Sequence, residues 1–291
     1  TIAAQGVGID RLLHPVVPVE RDAAGALTGL GKQGSRESLI YIETPRVDAR
    51  QRRELLDALQ TTLDDVCAAV ADWPQMQTAM AADAEAVSAL DAEAGALLAW
   101  LKGGMLTQLG HLVHRRDGSM TDELGICRSS RQPVLADASF ERAFEWFERA
   151  GKRGGNTREL LIVKANQLSR VHRRVPLDLF IVPRVEGGKV VALSVHAGVW
   201  TSAALAAAPD RVPRLRTQLS GLMDKFGFAP NGHAGKALVH ALTALPHDLL
   251  VSFAEDDLER VATAMMSLVD RPRPRLALVE APLARHLFAF V

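Results

Sequence analysis

The chain has 291 residues, enough for about two domains, and 48% of them are hydrophobic, so a sizeable core can be buried. Its 34 basic and 34 acidic residues balance, which argues against nucleic acid or an anionic membrane as a partner. Two distant cysteines, Cys67 and Cys127, have no histidine at ligand spacing; they fit a reducing, cytoplasmic compartment and argue against a disulfide framework or a zinc site.

The two ends of the chain carry no targeting pattern. No apolar run reaches the about 18 residues that a transmembrane helix needs. The start, TIAAQGVGIDRLL, lacks the basic and long apolar regions of a signal peptide and has no initiator Met. The end, RHLFAFV, stops inside an apparent strand. We therefore expect a piece of a larger protein without a membrane span.

The first ninety residues predict two strands followed by helices. The segments 14–22 and 37–43 alternate as strands do and are joined by a Gly-rich turn. A helix should follow with Asp48 as its N-cap and end near Trp73-Pro74. Its apolar stripe consists of Leu55, Leu59, Leu63, Val66 and Val70. An Ala-rich second helix is predicted over 76–88.

A third helix and then a sheet are predicted next. The helix covers 91–102, with Leu97, Leu98 and Leu101 as core residues, and Gly103-Gly104 should stop it. Five apolar segments then read as strands: LTQLGHLV, LGIC, LLIVKA, LDLFIVPRV and KVVALSVHAGVW. Gly187-Gly188 predicts a hairpin between the last two. A sheet of this kind with helices on one side resembles a PAS- or GAF-type sensor module.

Helices dominate the rest of the chain. Within the sheet region, a helix over 139–150 places three phenylalanines on one face: Phe140, Phe144 and Phe147. After Trp200, a stripe from Leu215 to Phe226 stops at Gly227, the expected C′ glycine. Two further helices are predicted over 232–245 and 255–269, and a β-hairpin closes the sequence.

The most basic segment lies between two predicted strands, in LLIVKANQLSRVHRRVPLD (160–178). Five potentially cationic side chains around one connection are costly to hold together without an anion or carboxylates nearby. The candidate ligand-binding or interface residues here are Lys164, Asn166, Ser169, Arg170, His172 and Arg173. The alternative is a solvated turn with a basic rim. Neighbouring cations should lower the pKa of His172, and Asn166 and Ser169 fit turn chemistry equally well.

A second candidate segment is NGHAGKAL (231–238). Gly232 and Gly235 allow the backbone to come close to another group at the start of a helix that could receive an anion, and Lys236 could add a charge. The alternative is an ordinary first helical turn capped by Asn231.

Catalytic signatures are missing from the sequence. It has no Gly-x-Gly-x-x-Gly run, no phosphate-binding Walker pattern and no Gly-x-Ser-x-Gly elbow. His111 and His114 lie three apart in a predicted strand, which points them to opposite faces and argues against a metal pair. We expect no catalytic residue, no metal and no cofactor in this chain itself.

Six pieces of the chain, in order and spacing as well as residue type, resemble one known family. They are 11–25, 37–43, VCAAVADWP (66–74), 160–178, 201–216 and 227–238. These pieces are similar to the N-terminal region of the large bacterial NAD-specific glutamate dehydrogenases. The chain departs from the residues that are usual in that family at 108–111, 171–179 and 231–236, and the first two of these segments lack the usual aromatic residues.

The resemblance implies that the parent protein oxidises L-glutamate with NAD to 2-oxoglutarate and ammonium in a core C-terminal to this region. It also implies ACT-like (ferredoxin-like) and PAS-like modules with regulatory or assembly roles. Expected partners are the rest of the parent chain, further copies in a homo-oligomer, and a small amino-acid effector. The alternatives are an amino-acid-sensing module with no dehydrogenase attached, and an enzyme that uses the basic turn.

The expected fold is α+β, with antiparallel sheets and helices. Its predicted parts are a partial ACT-like strand–strand–helix unit with a linker helix (1–90) and a PAS/GAF-like five-stranded domain (91–200). A helical segment (201–270) and the start of a further, truncated ACT-like unit (271–291) follow.

Overall fold

A computed structural model of the chain describes residues 1–31, 34–128, 133–151, 160–270, 273–280 and 283–290. The chain divides into two units, Thr1–Asp64 (unit 1) and Asp65–Val291 (unit 2). The domain limits that the sequence predicts at 90, 200 and 270 do not coincide with this division. They stay predictions about separately folding domains.

Unit 1 contains two small antiparallel sheets. Its strands are β1 (Arg11–Leu13), β2 (Val16–Arg21), β3 (Leu27–Leu30), β4 (Ser35–Ser38) and β5 (Tyr41–Glu43). One sheet has the order β3-β2-β4, and β1 pairs with β5. The prediction of a single strand over 37–43 is therefore wrong. Pairing with β2 ends at Ser38, the end of β4, and the next strand, β5, pairs with β1 instead.

The core of unit 1 is small. Ile2, Val7 and Leu55 are its buried residues, and Leu59 packs against them. Leu63 is exposed, so the predicted stripe of the first helix holds only at its N-terminal end. Large apolar side chains of the sheets are exposed as well: Leu12, Leu13, Leu30, Ile40 and Tyr41.

The helix α1 (Ala49–Ser88) begins in unit 1 and continues into unit 2. The Asp48 carboxylate accepts the Gln51 N–H at 2.8 Å, which confirms its predicted capping role. The predicted stop at Trp73-Pro74 is wrong, because α1 runs through Pro74. An interior proline costs about 3 kcal/mol. Burying the Met76 and Met80 side chains completely, at about 1.5–3 kcal/mol each, offsets that cost.

A five-stranded antiparallel sheet forms the centre of unit 2, as the sequence predicts. Its strands are β6 (Leu106–Arg115), β7 (Met120–Gly125), β8 (Leu161–Leu168), β9 (Pro176–Glu186) and β10 (Lys189–Trp200), in the order β7-β6-β10-β9-β8. Gly187 and Gly188 have φ of 56° and 76° between β9 and β10. Two consecutive positive φ values are what a tight type I′ hairpin requires, so this predicted turn is confirmed.

Helices cover both faces of this sheet, rather than the one face predicted. Successive β9 residues alternate between two cores: Leu179 and Ile181 belong to one, and Phe180 and Val182 belong to the other. The helix α3 (Asp137–Gly151) contributes its predicted phenylalanine stripe to the first core. The helix α2 (Ala92–Trp100) packs in the second core. Burial on both faces explains why the strands read as continuous apolar runs.

The remaining elements also pack in the second core. They are α4 (Ser202–Leu205), α5 (Leu215–Phe226), α6 (His233–Thr243), α7 (His247–Leu250), α8 (Glu255–Asp270), β11 (Arg275–Val279) and β12 (His286–Phe290). Gly227 ends α5 with φ 66°, which confirms the predicted C-terminal glycine. Across the described residues, no helix has both the length and the apolar character needed to span a membrane.

Candidate functional site

The basic connection between β8 and β9 holds a lysine between two carboxylates. Lys164 lies opposite Asp178 in the β8–β9 register, and its Nζ donates to Asp178 Oδ1 at 2.6 Å. The same Nζ also donates to the Asp248 carboxylate, which lies in α7. These three residues are called the lysine–carboxylate cluster here. The cluster joins the edge of the five-stranded sheet to a helix 84 positions further along the chain.

Burial sets the protonation behaviour of this cluster. Asp178 is 2% exposed. Burial raises its pKa; Lys164 opposes the rise and Asp248 reinforces it, so that the pKa reaches about 7. Burial lowers the pKa of Lys164, but the two carboxylates outweigh it and the net shift is upward. The ammonium therefore stays charged at neutral pH, while the Asp178 carboxylate titrates there.

Other cations of the connection also have internal partners. Arg173 donates to the backbone carbonyl of Trp200 at the end of β10. Arg170 pairs with Asp65 at 3.4 Å. Lys164 and Arg170 thus meet carboxylates, and Arg173 meets a carbonyl oxygen. These partners offset the repulsion expected among the cations of the connection.

The polar residues of the connection shape the turn. Ser169 is buried; its Oγ donates to the Val171 carbonyl at 2.7 Å and accepts the Val171 N–H at 3.2 Å. His172 is exposed, with a left-handed φ of 65°. Asn166 is also exposed. These three positions fit turn chemistry, and any ligand-binding role for them stays a prediction.

The second candidate segment opens α6. Gly232 is the N-cap of this helix, with no side-chain cap, so the predicted capping by Asn231 is wrong. Gly235 is buried, and a Cβ there would lie 2.4 Å from the Ala229 carbonyl oxygen. Lys236 is exposed. Among the described residues, no hydrogen bond or ion pair joins this segment to the lysine–carboxylate cluster.

A substitution of Gly235 separates packing from ligand binding. Gly235→Ala should lower the free energy of unfolding by about 1–3 kcal/mol, because the new methyl group would overlap the Ala229 carbonyl. Chemical denaturation measures this change. The exposed neighbour gives the control: Lys236→Ala should change stability by less than about 0.5 kcal/mol. A fully stable Gly235→Ala protein would contradict the packing role.

The structure contains a buried polar network on the sheet that the sequence does not predict. Asp83 of α1 is fully buried; it accepts from Ser194 Oγ at 2.5 Å and contacts His196 Nε2 at 2.8 Å and Arg184 at 2.5 Å. Burial raises the pKa of Asp83, but these partners outweigh it and the net shift is downward. Ser194 and His196 both bind the carboxylate rather than each other, so they do not form a nucleophile–base pair. The available sequence signal is two polar residues, Ser194 and His196, inside the otherwise apolar strand β10.

The two strand histidines lie on opposite faces of the sheet, as predicted. The His111 ring stacks on His196 with centroids 4.6 Å apart, and the His114 ring stacks on Phe140 at 4.0 Å. Burial, and then His196, lower the pKa of His111 to about 3. Within the described ranges, no group of three or more His, Cys, Asp or Glu residues is arranged to hold a metal ion.

Comparison with known proteins finds two segments of the chain similar to one family. Residues 1–83 match the glutamate dehydrogenase ACT1 domain, and residues 212–271 match glutamate dehydrogenase helical motif 1. The NAD-specific glutamate dehydrogenase of Halomonas elongata is 28% identical over 96% of this chain, and that of Pseudomonas aeruginosa is 28% identical over 98%. The chain is similar to the N-terminal region of the NAD-specific glutamate dehydrogenases. It spans 18% and 19% of the length of these two curated relatives.

The glutamate dehydrogenase matches locate the cluster relative to the family's modules. Asp248 lies inside the helical-motif match, whereas Lys164 and Asp178 lie in the sheet, between the two matched segments. A second link has the same character: Arg216 of α5 forms a paired contact with Glu93 of α2, with Nη2 2.7 Å from Oε1 and Nε 3.0 Å from Oε2. Helical motif 1 is thus attached to the rest of unit 2 by ion pairs as well as by apolar packing.

Proposed function

We propose that this chain is a non-catalytic regulatory or assembly region of a large, cytoplasmic NAD-dependent glutamate dehydrogenase. The parent protein would convert L-glutamate, NAD and water to 2-oxoglutarate, ammonium and NADH, and NAD would bind outside this chain. The observation that carries the proposal is the pair of family matches at 1–83 and 212–271, together with end-to-end similarity to dehydrogenases about five times longer.

The structure supports a role in assembly or regulation rather than chemistry. Lys164 of the lysine–carboxylate cluster is bound by two carboxylates, and the Asp83 network is buried. Neither group of residues therefore presents a reactive side chain to a substrate. The five-stranded antiparallel sheet at 106–200 supports a PAS-like assignment for the middle of the chain. The ACT1 match supports an ACT-like module at the N-terminal end.

The isolated chain should not reduce NAD. Purified residues 1–291 mixed with L-glutamate and NAD should give NADH absorbance at the rate of a no-enzyme control, because the chain lacks a dinucleotide-binding fingerprint. A preparation from a host strain that lacks its own glutamate dehydrogenases removes the main artefact. Glutamate-dependent NADH formation that co-purifies with the chain would contradict the non-catalytic assignment.

The second candidate function is sensing of a small amino acid, either within the enzyme or alone. The exposed Lys236 in the first turns of α6, which has no ion-pair partner in the described part of the chain, favours it. Titration calorimetry with glutamate, aspartate and other small amino acids tests this function. Saturable heat that Lys236→Ala removes would support sensing, and silent titrations would leave assembly as the role.

Self-association through unit 1 is expected. The outer sides of β3 and β4 pair with no further strand in the described part of unit 1, and the same sheets expose several large apolar side chains. Balanced charge leaves little electrostatic opposition to contact. Light scattering should show a mass that rises with protein concentration. A constant monomer mass at high concentration would contradict this expectation.

A further inference from the structure

The lysine–carboxylate cluster provides one positive charge for two carboxylates. Lys164 Nζ lies 2.6 Å from Asp178 Oδ1 and also binds Asp248, while Asp248 Oδ1 is buried and meets no hydrogen-bond donor among the described residues. With both carboxylates ionised, the cluster carries a net negative charge in a largely buried setting. With one proton added it is neutral, and the proton supplies a donor that the cluster lacks.

The cluster also lies where two parts of unit 2 meet. Lys164 and Asp178 belong to adjacent sheet strands, and Asp248 belongs to α7. The residues that follow Asp248 are buried in the second core: Leu250, Val251 and Phe253. A change in the charge of the cluster therefore acts directly on the attachment of α7 to the sheet.

We propose that the lysine–carboxylate cluster is a proton-operated contact, which holds α7 on the sheet when Asp178 is protonated and loosens it when both carboxylates are ionised. The inference concerns the fold of this chain and does not rest on the dehydrogenase assignment. The property that the contact would change is the attachment to the sheet of helical motif 1, the segment that contains α7.

Other charged groups around the cluster leave Asp178 as the titrating group. The groups that face it are Arg173 from the β8–β9 connection, His247 from α7 and His286 from β12. Arg173 remains charged at all relevant pH values. Burial lowers the pKa of His247 and of His286 from the ordinary 6.5, and Lys164 lowers that of His286 further, so both rings favour the neutral form near pH 7, where Asp178 titrates.

The direction of the pH effect follows from proton binding. Asp178 has an ordinary pKa of 3.8 and a folded pKa of about 7. Between these values the folded protein keeps a proton that the unfolded chain has lost, so this group's contribution to stability falls as pH rises through the window. Lys164, with its raised pKa, contributes stability fully at every pH below 10.5 and does not change across the same window.

Hydrogen exchange of the full-length protein tests the proposal. Backbone amides of 249–253 are hydrogen-bonded in and after α7. Their exchange, corrected for the intrinsic rate, should rise at least about threefold between pH 6 and pH 8.5. Asp178→Asn should remove the rise, because an amide cannot ionise, and Asp248→Asn serves if that variant folds poorly.

The control is an exposed ion pair in the same unit. Glu259→Gln breaks the contact with Lys225 between α8 and α5 and should leave the pH-dependent rise as in the wild type. Exchange that does not change with pH in the wild type overturns the proposal. A rise that persists in either carboxylate variant, or disappears in the Glu259→Gln control, overturns it as well.

Discussion

Replacing Lys164 with methionine should destabilise unit 2 by about 3–5 kcal/mol at pH 8, because the buried Asp178 and the partly buried Asp248 then lose the ammonium that both bind. The loss should be smaller at pH 5.5, where a proton can neutralise the pair. Urea unfolding followed by tryptophan fluorescence measures both values. All four tryptophans of the chain lie in unit 2.

The matched control is Lys225→Met, which removes an exposed lysine from its pair with Glu259. Its effect should be far smaller, because solvent screens that pair. Adding Asp248→Asn to Lys164→Met should restore part of the lost stability at pH 8, since one of the two unpaired charges disappears. Equal losses for the two lysine variants would contradict the assigned role of the cluster.

Replacing Asp83 with asparagine should cost about 3 kcal/mol or more. Asparagine keeps the shape of the side chain, but its NH2 group must face donors that bind the carboxylate in the wild type. The charge of Arg184 also loses its partner. The loss should appear as a lower urea midpoint with an unchanged slope, because the folded core is otherwise intact.

Glu85→Gln on the same helix is the control for Asp83→Asn. Glu85 is exposed two residues away, so its substitution should change stability by less than about 0.5 kcal/mol. If Asp83→Asn were as mild as this control, the buried network would contribute little, and α1 would be held on the sheet by apolar packing alone.

Local pattern predicts the elements of this chain better than their partners. Continuous apolar runs identify the strands of the central sheet, and the spacing of Phe140, Phe144 and Phe147 identifies the buried face of α3. These signals succeed because each depends on residues within one element. The same logic fails at Pro74, where tertiary packing of Met76 and Met80 outweighs a local helix breaker.

The same limit of sequence-based prediction applies to the candidate site. The crowding of cations predicts that carboxylates must be near, and the pairing of Lys164 with Asp178 follows once the hairpin register is known. Asp248 is a single acidic residue 84 positions further on, and no spacing rule connects it to Lys164. Asp83 likewise meets Ser194 and His196 across more than 100 residues. Long-range pairing of this kind depends on topology, which the sequence pattern does not encode locally.

The central claim is that the chain belongs to an NAD-dependent glutamate dehydrogenase without performing its reaction. The most direct test is the initial rate of NADH formation by the full-length protein that contains this chain, with L-glutamate as substrate and NADP in place of NAD as the control. We predict a glutamate-dependent rate with NAD that far exceeds the rate with NADP. A correctly folded full-length protein that forms no NADH from glutamate would contradict the account.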